Sequence, residues 1–188
     1  MKSTPTYLKH HFLIAMPHMA DPNFAQTVTY LVEHNEQGAM GLVINRPSGL
    51  SLSDVLEQLR ADELPPARCQ GVNVYSGGPV QTDRGFVLHP TGQTFQATVE
   101  LGELNLSTSQ DILFAIADGS GPQKSLIALG YAGWEAGQLE AELSDNAWLT
   151  CPADPAILFD TPSEQRLAAA AERLGINLSL LTAQAGHA

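Results

Sequence analysis

The sequence predicts an α+β fold of several mostly antiparallel strands and three or four helices. Two β-type segments flank a polar turn between Thr27 and Pro47, which is the pattern of a hairpin. The second of these segments, residues 39–44, is apolar at every position. A strand of this kind tolerates water on neither face, so we expect it at the centre of the core. Elsewhere in the chain, amphipathic segments begin with helix-capping residues, which indicates helices packed on the sheet.

The remaining strands are predicted from short apolar runs bounded by turn residues. The run that begins at His11 is stopped by Pro17, and a glycine-rich segment between residues 76 and 84 is predicted to be a long turn. The predicted strands outside the hairpin are residues 11–16, 72–75, 85–88, 95–101 and 125–129.

Three helices have clear start signals. Ser51 is expected to cap a helix over about residues 52–60, with an apolar stripe at Leu52, Val55, Leu56 and Leu59. The stretch 107–110 is predicted to open a second helix as a capping box, which Gly119 ends. The last helix is predicted to start with Thr161 as N-cap, Pro162 as first residue and Glu164 as the reciprocal acid, and to end at Gly175.

Residues 135–143 fit either a helix or a strand. As a helix, this stretch places Glu140 on the same face as Leu139 and turns it toward the core; as a strand, Glu140 points away. The stretch contains no β-branched residue, which favours the helix.

The chain has 188 residues, and this length predicts one domain spanning residues 1–188. Its formal net charge is −11, with twenty acidic residues against nine scattered Lys and Arg. An acidic field of this size opposes binding to phosphates, so direct nucleic-acid binding is disfavoured. The apolar run at Phe12–Met16 is too short for an export signal, and no run approaches the ~20 apolar residues of a membrane span. Cys69 and Cys151 have no metal or CxxC spacing, which predicts reduced thiols in a cytoplasmic protein.

Polar residues at strand ends are the candidates for binding. Asn45 and Arg46 follow the apolar strand, and a partly buried guanidinium needs an anionic partner, which is either an internal carboxylate or a ligand. Asp83 and Arg84 lie at the start of another predicted strand, where the partner of the arginine is again either an internal carboxylate or a ligand. An inward-facing Glu140 is a candidate counter-charge for Arg46 or Arg84. The other members of this predicted site are the glycine turn at Gly77 and Gly78, and Trp134, which lies either in the core or in a groove that recognises a partner.

A second polar cluster is Glu33, His34 and Asn35, at the turn of the hairpin. The histidine beside a carboxylate is either a general base or half of a metal site, or it is an exposed side chain of a turn in which Asn35 takes the left-handed conformation. Six residue steps along the strand separate this cluster from Arg46 by about 20 Å, so the two cannot share one small-molecule site.

No established catalytic pattern is present in the sequence. The six histidines show neither HExxH nor a paired metal spacing, and the serines show no GxSxG. Neither glycine turn is a P-loop or a dinucleotide-binding turn. We therefore predict no catalytic residue, no metal site and no cofactor.

The sequence resembles the YqgE/AlgH family of small bacterial proteins. The matching stretches include YLVEHNEQGAMGLVINRP, VYSGGPVQTDRGFVLH, LGYAGWEAGQLEAEL and the terminal AGHA. The resemblance implies a strongly bent, bifurcated sheet that forms a pseudo-barrel. One branch of the family is named for an effect on alginate production and carries the label of a transcriptional regulator. Where the first hairpin strand of the family often reads YLCEH, this chain has Val32, which puts a thiol-based redox role there in doubt.

Three functions follow as expectations. The first is a non-catalytic cytoplasmic regulatory protein that binds a partner protein or a small anionic ligand through the loops around the central strands. The second is a regulator that binds DNA directly, and the third is an enzyme that uses His34 or Glu140.

Overall fold

The computed structural model describes residues 7–178. The terminal AGHA stretch and His187 lie outside these residues. The strands are β1 (His11–Ala15), β2 (Val28–Asn35), β3 (Gly38–Val43), β4 (Pro47–Ser51), β5 (Asn73–Ser76), β6 (Val80–Pro90), β7 (Thr98–Glu100), β8 (Leu104–Ser107), β9 (Leu126–Glu135) and β10 (Trp148–Pro152). The helices are α1 (Leu52–Leu59), α2 (Asp111–Asp118), α3 (Gln138–Ser144), α4 (Pro155–Phe159) and α5 (Arg166–Glu172), with short 3₁₀ turns at Ala67–Gly71 and Ser163–Gln165.

The strands form one curled sheet in the order β10-β1-β2-β3-β9-β6-β8-β7, and β5 joins β4 to β9. Every strand pair is antiparallel except β5 with β9. The sheet bends into a half-barrel, which confirms the predicted α+β fold with a bent, mostly antiparallel sheet. The described residues contain five α-helices, rather than three or four.

The sheet forks along β9. One edge of this strand pairs with β5 at Ile127–Leu129 and then with β3 at Ala132–Glu135. The other edge pairs with β6 from Leu126 to Tyr131. The change of partner falls at Gly130 and Tyr131, so this point of the chain is the branch of the bifurcated sheet.

The hairpin at residues 27–47 is the centre of the core, as predicted. Val28, Tyr30 and Val32 of β2 point into the largest apolar cluster, inside the half-barrel. Leu31, on the opposite face of β2, packs with Ala132 beneath α3. Residues 41–44 are buried and residues 39–40 are partly buried, so β3 has protein on both faces.

Two helices agree with the sequence prediction. Ser51 and Asp54 form a complete capping box at the start of α1. Residues 138–144 form α3, with Leu139 buried, while the Glu140 side chain is only half-buried.

Two predicted helix starts were wrong. No capping box opens α2: its N-cap residue, Gln110, makes no side-chain capping hydrogen bond, and the Ser109 hydroxyl donates to the Asp111 carboxylate. Thr161 does not open the last helix; its hydroxyl donates to the Ala156 carbonyl 3.1 Å away and closes the short helix α4, which was not predicted. The last helix starts at Arg166, after a 3₁₀ turn.

Two strand predictions were also wrong. The predicted strand at residues 95–101 is only Thr98–Glu100, an edge strand on which Val99 is 57% exposed. The sheet continues instead through β8, which was not predicted. The predicted turn at residues 76–84 is shorter, because β6 already begins at Val80.

Among the described residues, no helix has the length and apolar character needed to cross a membrane. Cys69 and Cys151 are both buried free thiols, and burial raises the pKa of each.

Candidate functional site

The structure divides the predicted binding residues between two places along β9. One group surrounds Gly130, at the branch of the sheet: Asn45, Arg46, Gly77, Gly78, Asp83 and Arg84. Trp134 and Glu140 lie farther along, where β9 and α3 meet the turn of the hairpin and therefore the second cluster with His34. Four residue steps separate Gly130 from Trp134, or about 13 Å.

Three glycines at the branch allow two chain segments to touch. A Cβ on Gly77 would lie 2.4 Å from the Gly130 carbonyl oxygen, and a Cβ on Gly78 would lie 2.2 Å from the Tyr131 carbonyl carbon. Gly78 also has φ +153. Any side chain at these positions would collide with the backbone of β9, so the glycines serve close approach, as expected for a glycine turn. They fix the start of β6 against β9.

A bulge in β6 follows this contact directly. Val80 pairs with Tyr131 and Gly85 pairs with Leu129, so β6 takes five residue steps while β9 takes two. The three extra residues leave the ladder, and Gln81 adopts φ 47, which is rare outside glycine. Residues 81–84 are all exposed. Asp83 and Arg84 therefore lie on a protruding bulge rather than at the start of the strand.

The bulge presents charges of both signs. The Arg84 guanidinium carbon lies 5.2 Å from the centre of the Phe86 ring, and its Nη1 donates a long hydrogen bond of 3.4 Å to Gln81. Asp83 borders a cavity of about 150 Å³ against α1 and the start of α2. This volume is below the ~300 Å³ at which ligand pockets usually begin, so the cavity is too small to enclose a typical ligand.

Arg46 has no internal carboxylate partner among the described residues. Its Nη1 and Nη2 donate to the backbone carbonyls of Asn23 and Ala25, at 2.8 and 2.7 Å. Asn45 acts in the same way, accepting from the Val28 amide and donating to the Gln26 carbonyl, each at 3.0 Å. The two side chains hold the turn before β2 against the end of β3. The proposed pairing of Glu140 with Arg46 or Arg84 is wrong, because Glu140 binds His34.

His34 is buried, not an exposed turn residue. Its Nδ1 accepts a hydrogen bond of 2.9 Å from the Leu8 amide, so the ring hydrogen is on Nε2, which donates to Glu140. Its neighbours Glu33 and Asn35 do not join this contact: Glu33 forms an exposed ion pair with Lys9 at 3.7 Å, and Asn35 accepts from the Gln37 amide as part of the turn. Within residues 7–178, no three His, Cys, Asp or Glu side chains are placed to hold a metal ion.

The two tryptophans are in the core. Trp134 and Trp148 are buried with their rings 6.2 Å apart, and both indole N–H groups donate to the same oxygen of Glu142, at 3.0 and 2.9 Å. This arrangement leaves no open aromatic groove at Trp134.

Sequence reasoning missed a buried serine–histidine pair. His89 Nδ1 donates to the Pro90 carbonyl at 3.0 Å, so Nε2 accepts, and the Ser107 hydroxyl donates to it at 2.7 Å. The pair resembles a nucleophile with its base. Both residues are 0% exposed, which keeps any substrate from the hydroxyl. The pair therefore holds β6 to β8.

Sequence reasoning also missed a cavity at the mouth of the half-barrel. It has a volume of about 370 Å³ and lies between the start of β1, the β7–β8 loop and the end of β10. Tyr30 and His10 provide its inner polar groups, with 3.1 Å between the tyrosine oxygen and Nδ1. The only sequence signal was the tyrosine at a core-facing position of β2.

Residues 12–179 match the model of a family described as AlgH-like, DUF179. The UPF0301 protein AlgH from Pseudomonas aeruginosa PAO1 is 83% identical to the chain over 187 residues, covering 100% of this chain and 99% of that protein. A UPF0301 protein from Stutzerimonas stutzeri is 72% identical over 189 residues, covering 100% of both chains.

Two solved structures have the same fold. The solution structure of the AlgH protein from Pseudomonas aeruginosa is 82% identical, with a TM-score of 0.82 over 100% of both chains. A crystal structure from Corynebacterium diphtheriae has a TM-score of 0.71 at 20% identity, over 97% of this chain and 94% of that chain, and shows the fold alone. The family match and the close relatives confirm the resemblance: the chain belongs to the AlgH-like family.

Proposed function

We propose that this chain is a non-catalytic cytoplasmic regulatory protein that binds a partner protein through the bulge of β6, residues 81–84. The observation that carries the proposal is the three-residue excess between Val80 and Gly85 opposite β9. Bulges are often found beside functional sites, where they redirect side chains. A strained residue such as Gln81 is also typical of binding sites.

The anchoring of the bulge supports binding. The ideal Cβ position of Gly130 lies 3.2 Å from the Thr82 Cα, so the bulge packs directly on β9. Residues held in place before binding lose less conformational entropy when a partner arrives. Asp83 and Arg84 offer opposite charges side by side, which favours a protein surface with complementary charges over a polyanion.

The other functions have less support. The two carbonyls bound by Arg46 already use one N–H on each of its terminal nitrogens, which weakens the case for a small anionic ligand there. The net charge of −11 opposes direct binding to DNA. Binding of a 20-base-pair duplex at 50 mM salt would favour the DNA-binding function instead.

Co-purification from a closely related bacterium tests the proposal. The tagged chain is compared with the double variant D83A/R84A and with the matched control K124A/D160A, which removes an exposed ion pair of 3.0 Å elsewhere. We expect a specific protein to co-purify with the wild type and with the control. The amount that co-purifies with D83A/R84A should be at least tenfold lower, while the melting temperature of that variant is unchanged. Equal retention by D83A/R84A would contradict the proposal.

A further inference from the structure

The cavity at the mouth of the half-barrel is a second site, away from the bulge of β6. Its inner end is the hydroxyl of Tyr30, and its walls are formed by apolar side chains. A volume of about 370 Å³ is within the usual range of small-molecule pockets, and barrel mouths are common places for them. The lining residues are His10, His11, Tyr30, Leu101, Gly102, Glu103, Leu104, Pro152, Ala153 and Pro155.

Tyr30 extends from the core into this cavity. Its ring packs edge-on against Phe12, with the centroids 6.3 Å apart, among the apolar side chains of the half-barrel. The hydroxyl points beyond this cluster to His10. Burial raises the pKa of Tyr30 to about 12, so the phenol stays protonated and can donate a hydrogen bond.

His10 is held in a strained conformation beside the hydroxyl. It has φ 68, and its backbone is tied on both sides: its amide donates to the Leu31 carbonyl at 2.9 Å, and its carbonyl accepts from the Ala153 amide at 3.0 Å. A non-glycine residue in this region is strained, and such strain is concentrated at ligand sites. The two bonds join β2 to the end of β10 and fix the ring at the cavity wall.

One ring nitrogen of His10 is left for a ligand. Nδ1 is engaged with Tyr30, and within the described chain no protein group hydrogen-bonds Nε2. Gly102 faces this nitrogen: its ideal Cβ position is 3.9 Å from Nε2, and its φ of +94 disfavours any side chain there. The space over Nε2 therefore stays open.

The Glu103 charge selects against anionic ligands, and burial selects against charged ligands of either sign. Glu103 is exposed at the rim, and the described residues give it no salt bridge, so a carboxylate or phosphate would meet its negative charge. The nearby Lys9 is already paired with Glu33 at 3.7 Å. Burial lowers the pKa of His10, and the same loss of hydration penalises a charged group of either sign deep in the cavity.

We propose that this cavity binds a small uncharged molecule with an apolar body and one hydroxyl or carbonyl group, which hydrogen-bonds to His10 Nε2. Leu101, Leu104 and Ala153 pack on the apolar body. The Tyr30 hydroxyl can donate to His10 Nδ1 or accept from it, so either tautomer of the ring is satisfied, and Nε2 can donate to a ligand oxygen or accept from a ligand hydroxyl.

Three probes of similar shape test this assignment by NMR titration of the full isotope-labelled chain at pH 7: 2-phenylethanol, phenylacetate and 2-phenylethylammonium. We expect 2-phenylethanol to shift the signals of residues 101–104 and Ala153 and to bind about tenfold more tightly than phenylacetate, because of the repulsion by Glu103. Tighter binding of either charged probe, or no shift at these residues, would overturn the proposal.

Two variants separate the contribution of the Glu103 charge to ligand affinity from that of the Tyr30 hydroxyl. Glu103 is exposed, so E103Q keeps the fold, and it should strengthen the binding of phenylacetate several-fold while leaving the alcohol unchanged. The alcohol remains the tighter ligand, because burial still penalises the anion. Y30F keeps the ring but removes the hydroxyl that holds His10 Nδ1, so the imidazole is less firmly oriented and the alcohol should bind several-fold more weakly. An unchanged ratio of the two affinities in E103Q would contradict the proposal even if Y30F failed to fold. Neither variant touches residues 81–84, so this result is independent of partner binding at the bulge.

Discussion

His34 and Glu140 are 106 residues apart in the sequence, and the ring N–H of His34 donates to the carboxylate of Glu140. The other ring nitrogen accepts from the Leu8 amide. One buried side chain therefore joins three segments: the chain before β1, the turn between β2 and β3, and helix α3. The hairpin residue that suggested a general base instead holds these segments together.

Removing this ring should destabilise the fold. H34A loses two hydrogen bonds and leaves a cavity where the ring was, so we expect the free energy of unfolding to fall by about 3 kcal/mol in urea denaturation. E140Q should cost less than about 1 kcal/mol, because the glutamine oxygen still accepts and the side chain is 40% exposed. Faster hydrogen exchange at the Leu8 amide should accompany H34A. A variant H34A as stable as the wild type would contradict this role.

Glu142 should be as important as His34, although it is only partly buried. Its single oxygen accepts both indole N–H groups, so E142A leaves two buried donors unsatisfied, and we expect a loss of about 2–4 kcal/mol. The chain has only two tryptophans, so intrinsic fluorescence reports directly on this contact. E142Q retains an acceptor and is the matched control. Equal fluorescence and stability in all three proteins would rule out the bridge.

The parts of the fold that were predicted correctly depend on local sequence. The Ser51 cap of α1, the apolar run at residues 39–44 and the hairpin all lie within a few consecutive residues. Strand β8 was missed because Leu104–Ser107 is only four residues long, and all four are buried by pairing with β6 and β7. Local propensity does not specify such a strand; its neighbours in the sheet do.

The site was predicted less well, for a related reason. A partly buried guanidinium is expected to pair with an anion, and this expectation was applied to Arg46. In the structure the turn at residues 21–26 folds back, and its backbone carbonyls accept the hydrogen bonds of the guanidinium instead. The carboxylate of Glu140 meets His34 only after α3 has packed on the hairpin. Glycine in a turn serves either a tight turn or a close backbone approach, and the sequence does not distinguish the two; the contacts of Gly77 and Gly78 with β9 show close approach.

Gly78→Ala tests that close approach. A Cβ 2.2 Å from the Tyr131 carbonyl carbon cannot be accommodated without moving β9, and φ +153 adds strain, so we expect a loss of at least about 3 kcal/mol or failure to fold. Gly71→Ala is the control, because no atom lies within 4 Å of its ideal Cβ position. It should leave the urea midpoint nearly unchanged. Similar midpoints for the two variants would show that β6 and β9 are not held as described.

Burial of His89 should make stability depend on pH in a defined direction. Burial lowers the pKa of His89 from its ordinary value of 6.5. Below that pH the unfolded chain binds a proton at this residue that the folded chain does not. Its contribution to stability is therefore fully present above about pH 6.5 and is lost as the pH falls toward the lower folded pKa. His10 shifts in the same direction and adds to the effect.

The free energy of unfolding, measured in urea between pH 7.5 and 5, should fall on acidification by up to about 1.4 kcal/mol per pH unit for each histidine. H89Q should reduce this slope whatever it does to absolute stability, because the titrating ring is gone while a polar side chain remains opposite Ser107. H10Q should reduce the slope separately. The two reductions should add, since His10 precedes β1, His89 lies in β6 and the two residues share no partner. A slope unchanged in H89Q, or stability that rises toward pH 5, would mean that the histidine between β6 and β8 takes up a proton within the fold.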